Sequence, residues 1–467
     1  MAISTTNLYL ESAFAPIHDE ISVDRCEVIG ELPSDLAGMF VRNGSNPRFA
    51  PKGRYHWFDG DGMLHGVHIE DGVARYANRY VQTEGLRAET DAGEALWTGI
   101  MERPDLTNPG GPFKNTANTD LVFHAGRLLA LWWLGGDAYE IAVPSLDTIG
   151  RANIGAALAS HPKLDPVTGE LVFFDYSMMP PYLTYGVLDA EGQLVHHEPI
   201  DLPGPRLLHD IAITQQFTIL FDFPLMWDPD LLARGKTKVI FRDDVPARIG
   251  VLPRRGTNNE LRWFETSPCY MYHTVNAWEE GDEIVLVGCR IENPMPGAIE
   301  NPRNLPRLDI LQMEPYFHEW RLDLVTGAVR ERQLDDTLTE FPRMDNRVLG
   351  RASRYSYHPR VAHGQTLRFD AVVKYDLATG HSAVHEYGGG RVGGETTFAP
   401  RVGSVSEDDG YVLTFVTDEH DGASELCVLD AQRLDAGPVA RVLFPHRVPI
   451  GYHTWWIAAD DLAGNAP

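Results

Sequence analysis

Short apolar runs rich in Val, Ile, Tyr and Phe alternate with turn signals along most of the chain. Examples are VHIEDGVARY (67–76), LDPVTGELVFF (164–174), VLDAEGQLVHH (187–197), RLDLVTGAVRE (321–331) and KYDLATGHSAV (374–384). Each reads as a strand, a tight turn and a strand. In the D-x-x-T-G units, Asp165 to Gly169, Asp323 to Gly327 and Asp376 to Gly380, the Asp side chain can accept hydrogen bonds from the turn backbone. The Gly takes the positive-φ position that a Cβ would oppose.

Recurring hairpins without long amphipathic helices between them predict an all-β array. A β-propeller meets that pattern because radial repetition leaves only short, protected sheet edges, although a sandwich or several small β domains would give similar hairpins. No linker divides the chain, so 1–467 is read as one domain in which residues 1–26 form an N-terminal extension. The proline-rich stretches ENPMPGAIENPRNLPRL (292–308) and YSMMPPYL (176–183) are expected to be long loops on one face, where binding residues or plain connectors would lie.

Composition narrows the function classes. With 43% hydrophobic and 23% charged residues the chain can bury a full core. A formal charge of −26 argues against nucleic acid as a partner, because such binding rests on clustered Lys and Arg. Cys26, Cys269, Cys289 and Cys427 form no CxxC pair and no disulfide framework, which fits a reducing cytoplasm. The amino-terminal sequence lacks the charged, apolar and cleavage regions of a signal peptide, and no run of about 18 apolar residues could span a bilayer. Segment 224–232, PLMWDPDLL, suits either transient peripheral contact with lipid or packing as a surface loop or short helix. Oligomeric state is not legible.

Eighteen histidines are present, and any one of them is more often a surface or core residue than a ligand. Four share a setting, each beside apolar or aromatic residues at an expected strand edge: His161 in ALASHPKLD, His209 in RLLHDIAIT, His273 in YMYHTVNAW and His453 in PIGYHTWW. His196, His197, His381 and His420 have polar or turn surroundings and read as solvated. Four neutral imidazoles converging from separate segments would suit a borderline metal such as Fe(II), with positions left open for O2.

From about residue 27 onward the chain resembles the carotenoid cleavage oxygenases. The resemblance rests on GELPSDLAGMFVRNGSNP, WFDGDGMLHGV, KNTANTDLVFHAGRLLALW, SHPKLDPVTGEL, LLHDIAIT, IGVLPRRG, HTVNAWEEG, TEFPRMD, GETTFAPR and EDDGYVLTFV, which occur in the family's order. It implies a seven-bladed β-propeller, with loops and short helices capping the active-site face and one Fe(II) on its axis. By the same resemblance His161, His209, His273 and His453 are the iron ligands, and Glu340 and Glu395 accept the second ring N–H of two of them. A third glutamate is expected after LLALW, but Trp133 stands there, so water, a backbone carbonyl or Asp137 would have to orient that imidazole.

The implied activity is cleavage of a conjugated C=C bond by O2 into two carbonyl products, with no organic cofactor. Stilbene- and isoeugenol-cleaving relatives carry a YRNPFTDD stretch and a Lys after the TANT segment, where this chain has GIMERPDLTNP (99–109) and Trp132. With no base to activate a phenol, an apolar apocarotenoid or carotenoid is the favoured substrate over a stilbene or phenylpropanoid. Phe58 and Trp132 are the candidate pocket residues, with ordinary core packing as the alternative. An isomerohydrolase using the same iron, or a non-catalytic propeller scaffold, are further alternatives.

Overall fold

The computed structural model describes residues 7–232, 234, 238–295, 311 and 313–464. The hairpins read from the sequence are present. VHIEDGVARY spans strands Met63–Glu70 and Val73–Tyr80, and the two turn residues Asp71 and Gly72 both have left-handed φ, 49° and 70°. Such a two-residue turn matches the twist of the strands it joins. In the D-x-x-T-G units Asp323 accepts from the N–H groups of Val325 and Thr326, each at 2.8 Å, ahead of Gly327 at φ 83°. Asp165 and Asp376 do the same for Val167 and Ala378, at 2.9 and 3.1 Å.

Every ladder between strands is antiparallel, and neighbouring strands are mostly consecutive in the chain. Four-stranded sheets occupy residues 120–151, 163–200, 212–266 and 270–338, and the third carries an inserted hairpin, Leu225–Trp227 with Val239–Phe241. A nine-stranded sheet holds the strands between residues 355 and 443, with two runs joined through the short Arg391–Gly393. Chain-contiguous antiparallel sheets of this kind are the units of a propeller.

Closure is made by the two ends of the chain. Thr454–Ala458 pairs with Gly38–Arg42 to complete the five-stranded first sheet, and Glu27–Gly30 pairs with Pro438–Leu443 in the last. The described part of the N-terminal extension is packed on this body. Tyr9 stacks on Trp57 at 5.5 Å, Phe14 meets the same ring edge-on at 5.3 Å, and both are buried. Ser22–Val23 adds a short edge to Val73–Tyr80.

Helix Glu84–Ala92 is started by the Thr83 hydroxyl, which accepts from the Leu86 N–H, and stopped by Gly93 in the left-handed region. Its Glu89 joins Asp61 in holding the buried Lys114 ammonium. In segment 224–232 the Leu225, Met226 and Trp227 side chains are buried. No helix among the described residues is long and apolar enough to cross a membrane. Of the loop at 292–308, residues 296–308 lie outside the described residues.

The closing sheet and an ordinary turn respond differently to the same substitution. Gly380, at φ 72°, has open space where a Cβ would sit, so Gly380→Ala costs only the left-handed strain, about 1 kcal/mol. At Gly38, φ 148°, a Cβ would strike the Ile457 carbonyl oxygen and the Trp456 ring across the closing strand pair. Denaturant midpoints should therefore rank wild type, then Gly380→Ala, then Gly38→Ala, with the second drop the larger.

Candidate metal centre

The four candidate histidines lie at the inner edges of four different sheets. His161 precedes Lys163–Leu164, His209 precedes Ala212–Ile213, and His453 precedes Thr454–Ala458. His273 sits within Tyr270–Glu280, where the ladder slips between Met271 and Thr274. A bulge of this kind re-aims a side chain out of the pleat. His161 has φ 67°, a backbone state that a branched-off Cβ resists and that surrounding structure must impose. Asp120 helps impose it, accepting the His161 backbone N–H at 2.9 Å.

All four imidazoles are buried, and one nitrogen from each lies within 4.8 Å of the others. Nε2 of His161 and Nε2 of His209 are 3.2 Å apart. Nδ1 of His273 pairs with Glu340 at 2.5 Å and Nδ1 of His453 with Glu395 at 2.9 Å. Those contacts leave each Nε2 for the centre, and Nε2 of His273 is buried with no hydrogen-bond partner among the described residues. Converging imidazole nitrogens, lone pairs inward and N–H groups tied outward, fit a divalent transition metal.

Electrostatics point the same way. Burial, followed by the neighbouring histidines, pushes His161, His209 and His453 well below the ordinary imidazole range, so they stay neutral and able to donate a lone pair. Burial raises the Glu395 carboxyl, while the Arg343 guanidinium beside it opposes that rise.

His209 differs from its neighbours. Its Nδ1 is buried without a hydrogen-bond partner among the described residues. Asp137 does not supply one, being half-exposed and paired with Arg151 at 2.7 Å. The ring is instead packed edge-on against Tyr272 at 4.8 Å.

The histidines open onto an apolar space. A cavity of about 30 Å³ touches His209, His273, His453, Thr119 and Phe341, and a larger one of about 270 Å³ continues from it. Phe58, Trp133, His209, Tyr272 and Leu311 line both. The larger cavity also has Met178, Trp227 and Met295 on its wall, with Arg54, His56 and Lys238 as its cationic and imidazole groups.

Of the two pocket residues read from sequence, Phe58 is on both walls. Trp132 lines a cavity of about 60 Å³ beside Asp61, Glu89 and Lys114 that shares Arg54, Phe58, Ile100, Phe113 and Trp133 with the 270 Å³ one, and Trp133 lines all three. Asp120, Asp210 and Tyr272 were not singled out in the sequence. Asp210 accepts from the Thr274 N–H at 2.7 Å and hydroxyl at 2.8 Å, and pairs with Lys163 at 2.5 Å. Their signal was adjacency alone, Asp210 to His209 and Tyr272 to His273.

A propeller carrying a buried four-histidine centre beside an apolar cavity defines the class as a non-haem metal oxygenase. The family model described as retinal pigment epithelial membrane protein matches residues 14–458, and the chain belongs to this carotenoid cleavage oxygenase family. It is 38% identical over 493 residues to carotenoid 9,10(9',10')-cleavage dioxygenase 1 of Arabidopsis thaliana, covering 97% of this chain and 90% of that one. Among solved structures it is similar to Pseudomonas brassicacearum lignostilbene dioxygenase, with TM-score 0.89, 28% identity and coverage of 97% and 99%. It is also similar to Synechocystis apocarotenoid oxygenase, with TM-score 0.84, 26% identity and coverage of 95% and 97%.

Titration of the metal-free protein with Co(II) tests the centre without turnover. His161→Ala, His209→Ala, His273→Ala and His453→Ala should each abolish stoichiometric binding, whereas Glu340→Gln and Glu395→Gln should weaken it by about 10 to 100-fold. Wild-type binding by any two of the histidine variants would remove the centre.

Proposed function

We propose that the protein binds one Fe(II) per chain on His161, His209, His273 and His453 and cleaves a conjugated C=C bond of an apocarotenoid or carotenoid with O2. The observation that carries this reading is the buried four-histidine cluster opening directly onto an apolar cavity. In the balanced reaction the double bond is broken and each alkene carbon gains one oxygen atom of O2 as a carbonyl. Bound Fe(II) would supply O2 activation, which spin pairing denies to a direct reaction with the alkene.

The protein's part is placement and exclusion of water. Glu340 and Glu395 fix the tautomer and rotation of His273 and His453. Phe58, Trp133, Tyr272 and Phe341 form a wall that desolvates a polyene and holds one bond of it near the histidines. A substrate of that kind contributes binding energy along its whole length through apolar burial. The free, buried cysteines are compatible with a reducing compartment and support a cytoplasmic location.

A second reading, cleavage of a 4-hydroxystilbene or vinylphenol, is favoured by Lys238 and Arg54 on the larger cavity and by the likeness to a lignostilbene dioxygenase. Arg54 is committed to Glu102 at 2.9 Å, which leaves Lys238 as the group to meet a phenol.

The iron-loaded enzyme should convert an apocarotenal under 18O2 into two carbonyl products, each carrying one 18O atom. A hydrolytic reaction would take its oxygen from water, and a scaffold would return the substrate unchanged. Turnover of resveratrol but neither its fully methylated ether nor any apocarotenoid would overturn the substrate class and leave the oxygenase, because a site built for a hydroxyl discriminates strongly against its absence.

A further inference from the structure

A second cavity reaches one of the four histidines, His161, through a different set of residues. It measures about 510 Å³ and touches His161, Asp120, Lys163, Thr274 and Arg343, none of which borders the apolar cavity. The geometry points to Arg343 as a positioning residue that couples two of the metal-binding histidines, His161 and His453, by hydrogen-bonding the Glu395 carboxylate behind His453 while its charge faces the Asp120 carboxylate behind His161. The proposal deepens the metal-centre reading above and rests on it.

The contacts form one continuous path. Nη2 of Arg343 donates to Oε2 of Glu395 at 3.0 Å, and its Nε lies 2.9 Å from Oε1 of the same carboxylate. Oε1 of Glu395 faces Nδ1 of His453 at 2.9 Å. The same Nη2 donates to the carbonyl oxygen of Thr454, the residue after His453, at 3.1 Å. It also lies 3.8 Å from Oδ1 of Asp120, whose Oδ2 accepts the His161 backbone N–H at 2.9 Å and sits 3.4 Å from the His161 Nδ1. One planar cation thus spans the supports of two histidines that come from different sheets.

Arginine suits this place for a physical reason. Glu395 is buried, and a buried carboxylate whose second oxygen lacks a partner turns to find one, which would cost His453 its acceptor. The guanidinium presents several donors in a rigid fork, so it can hold Glu395 and the Thr454 carbonyl together while its charge stays near Asp120. A lysine could supply the charge but only as a point, without the fork that sets this geometry.

Co(II) is the probe, added to metal-free wild type, Arg343→Met, Arg343→Lys, Arg347→Gln and His453→Ala, with affinity and visible ligand-field spectrum as readouts. Arg347 lines the same cavity but is bound to Asp345 and Ser404, so it controls for a general loss of positive charge. Arg343→Met should bind Co(II) about 10 to 100-fold more weakly with a shifted spectrum. Arg343→Lys should recover part of the affinity but not the spectrum, and Arg347→Gln should match wild type.

Wild-type affinity and spectrum in Arg343→Met would overturn the proposal, as would the same result in Arg343→Lys if the methionine variant fails to fold. Equal weakening by Arg347→Gln would also overturn it, as would a lower melting temperature of metal-free Arg343→Met with unchanged Co(II) affinity, which is the mark of a purely structural arginine. Wild-type binding by His453→Ala would instead sink the metal-centre reading, and this proposal with it.

Discussion

Four imidazoles buried around one point impose the condition that the rest of the molecule meets. Ring centroids of His161 lie 4.3 to 5.0 Å from those of the other three, and burial with the neighbouring rings disfavours the charged forms of His161, His209 and His453. A neutral imidazole still carries one N–H, and in a buried site that donor needs an acceptor. Glu340 and Glu395 meet the need for His273 and His453 from segments well separated in the chain. Only an arrangement that brings several sheet edges to one axis could supply both the rings and the acids behind them.

The acids in turn require balance. Asp120, Asp210, Glu340 and Glu395 surround the cluster, and Lys163 and Arg343 are the cations paired among them. Acidic side chains thus outnumber basic ones four to two around the cluster, an environment that favours a cation over an anion at its centre.

Much of this was legible in the sequence where the signal was local. A D-x-x-T-G turn closes its hydrogen bonds within five residues, so Asp323 and Gly327 announced their conformation unaided. The four histidines and the two glutamates were read through ordered motifs rather than spacing, because ligands from four sheets have no common interval. Asp120, Asp210 and Arg343 stayed hidden because each acts across a sheet boundary and looks, in one dimension, like any charged residue beside a strand. The number of propeller units was obscured by irregular repeats and by Arg391–Gly393, which fuses two runs of strands into one sheet.

The closing strand gives the centre a place in time. Thr454–Ala458 is the strand that completes the first sheet, and it follows His453 directly. During synthesis the growing chain can pair most of its hairpins as they emerge, since their partners are neighbours. The first sheet cannot finish, and the fourth imidazole cannot arrive, until the segment that carries His453 and Thr454–Ala458 has been made. Sealing of the first sheet and completion of the four-histidine cluster thereby depend on one short segment, so neither is reached without the other.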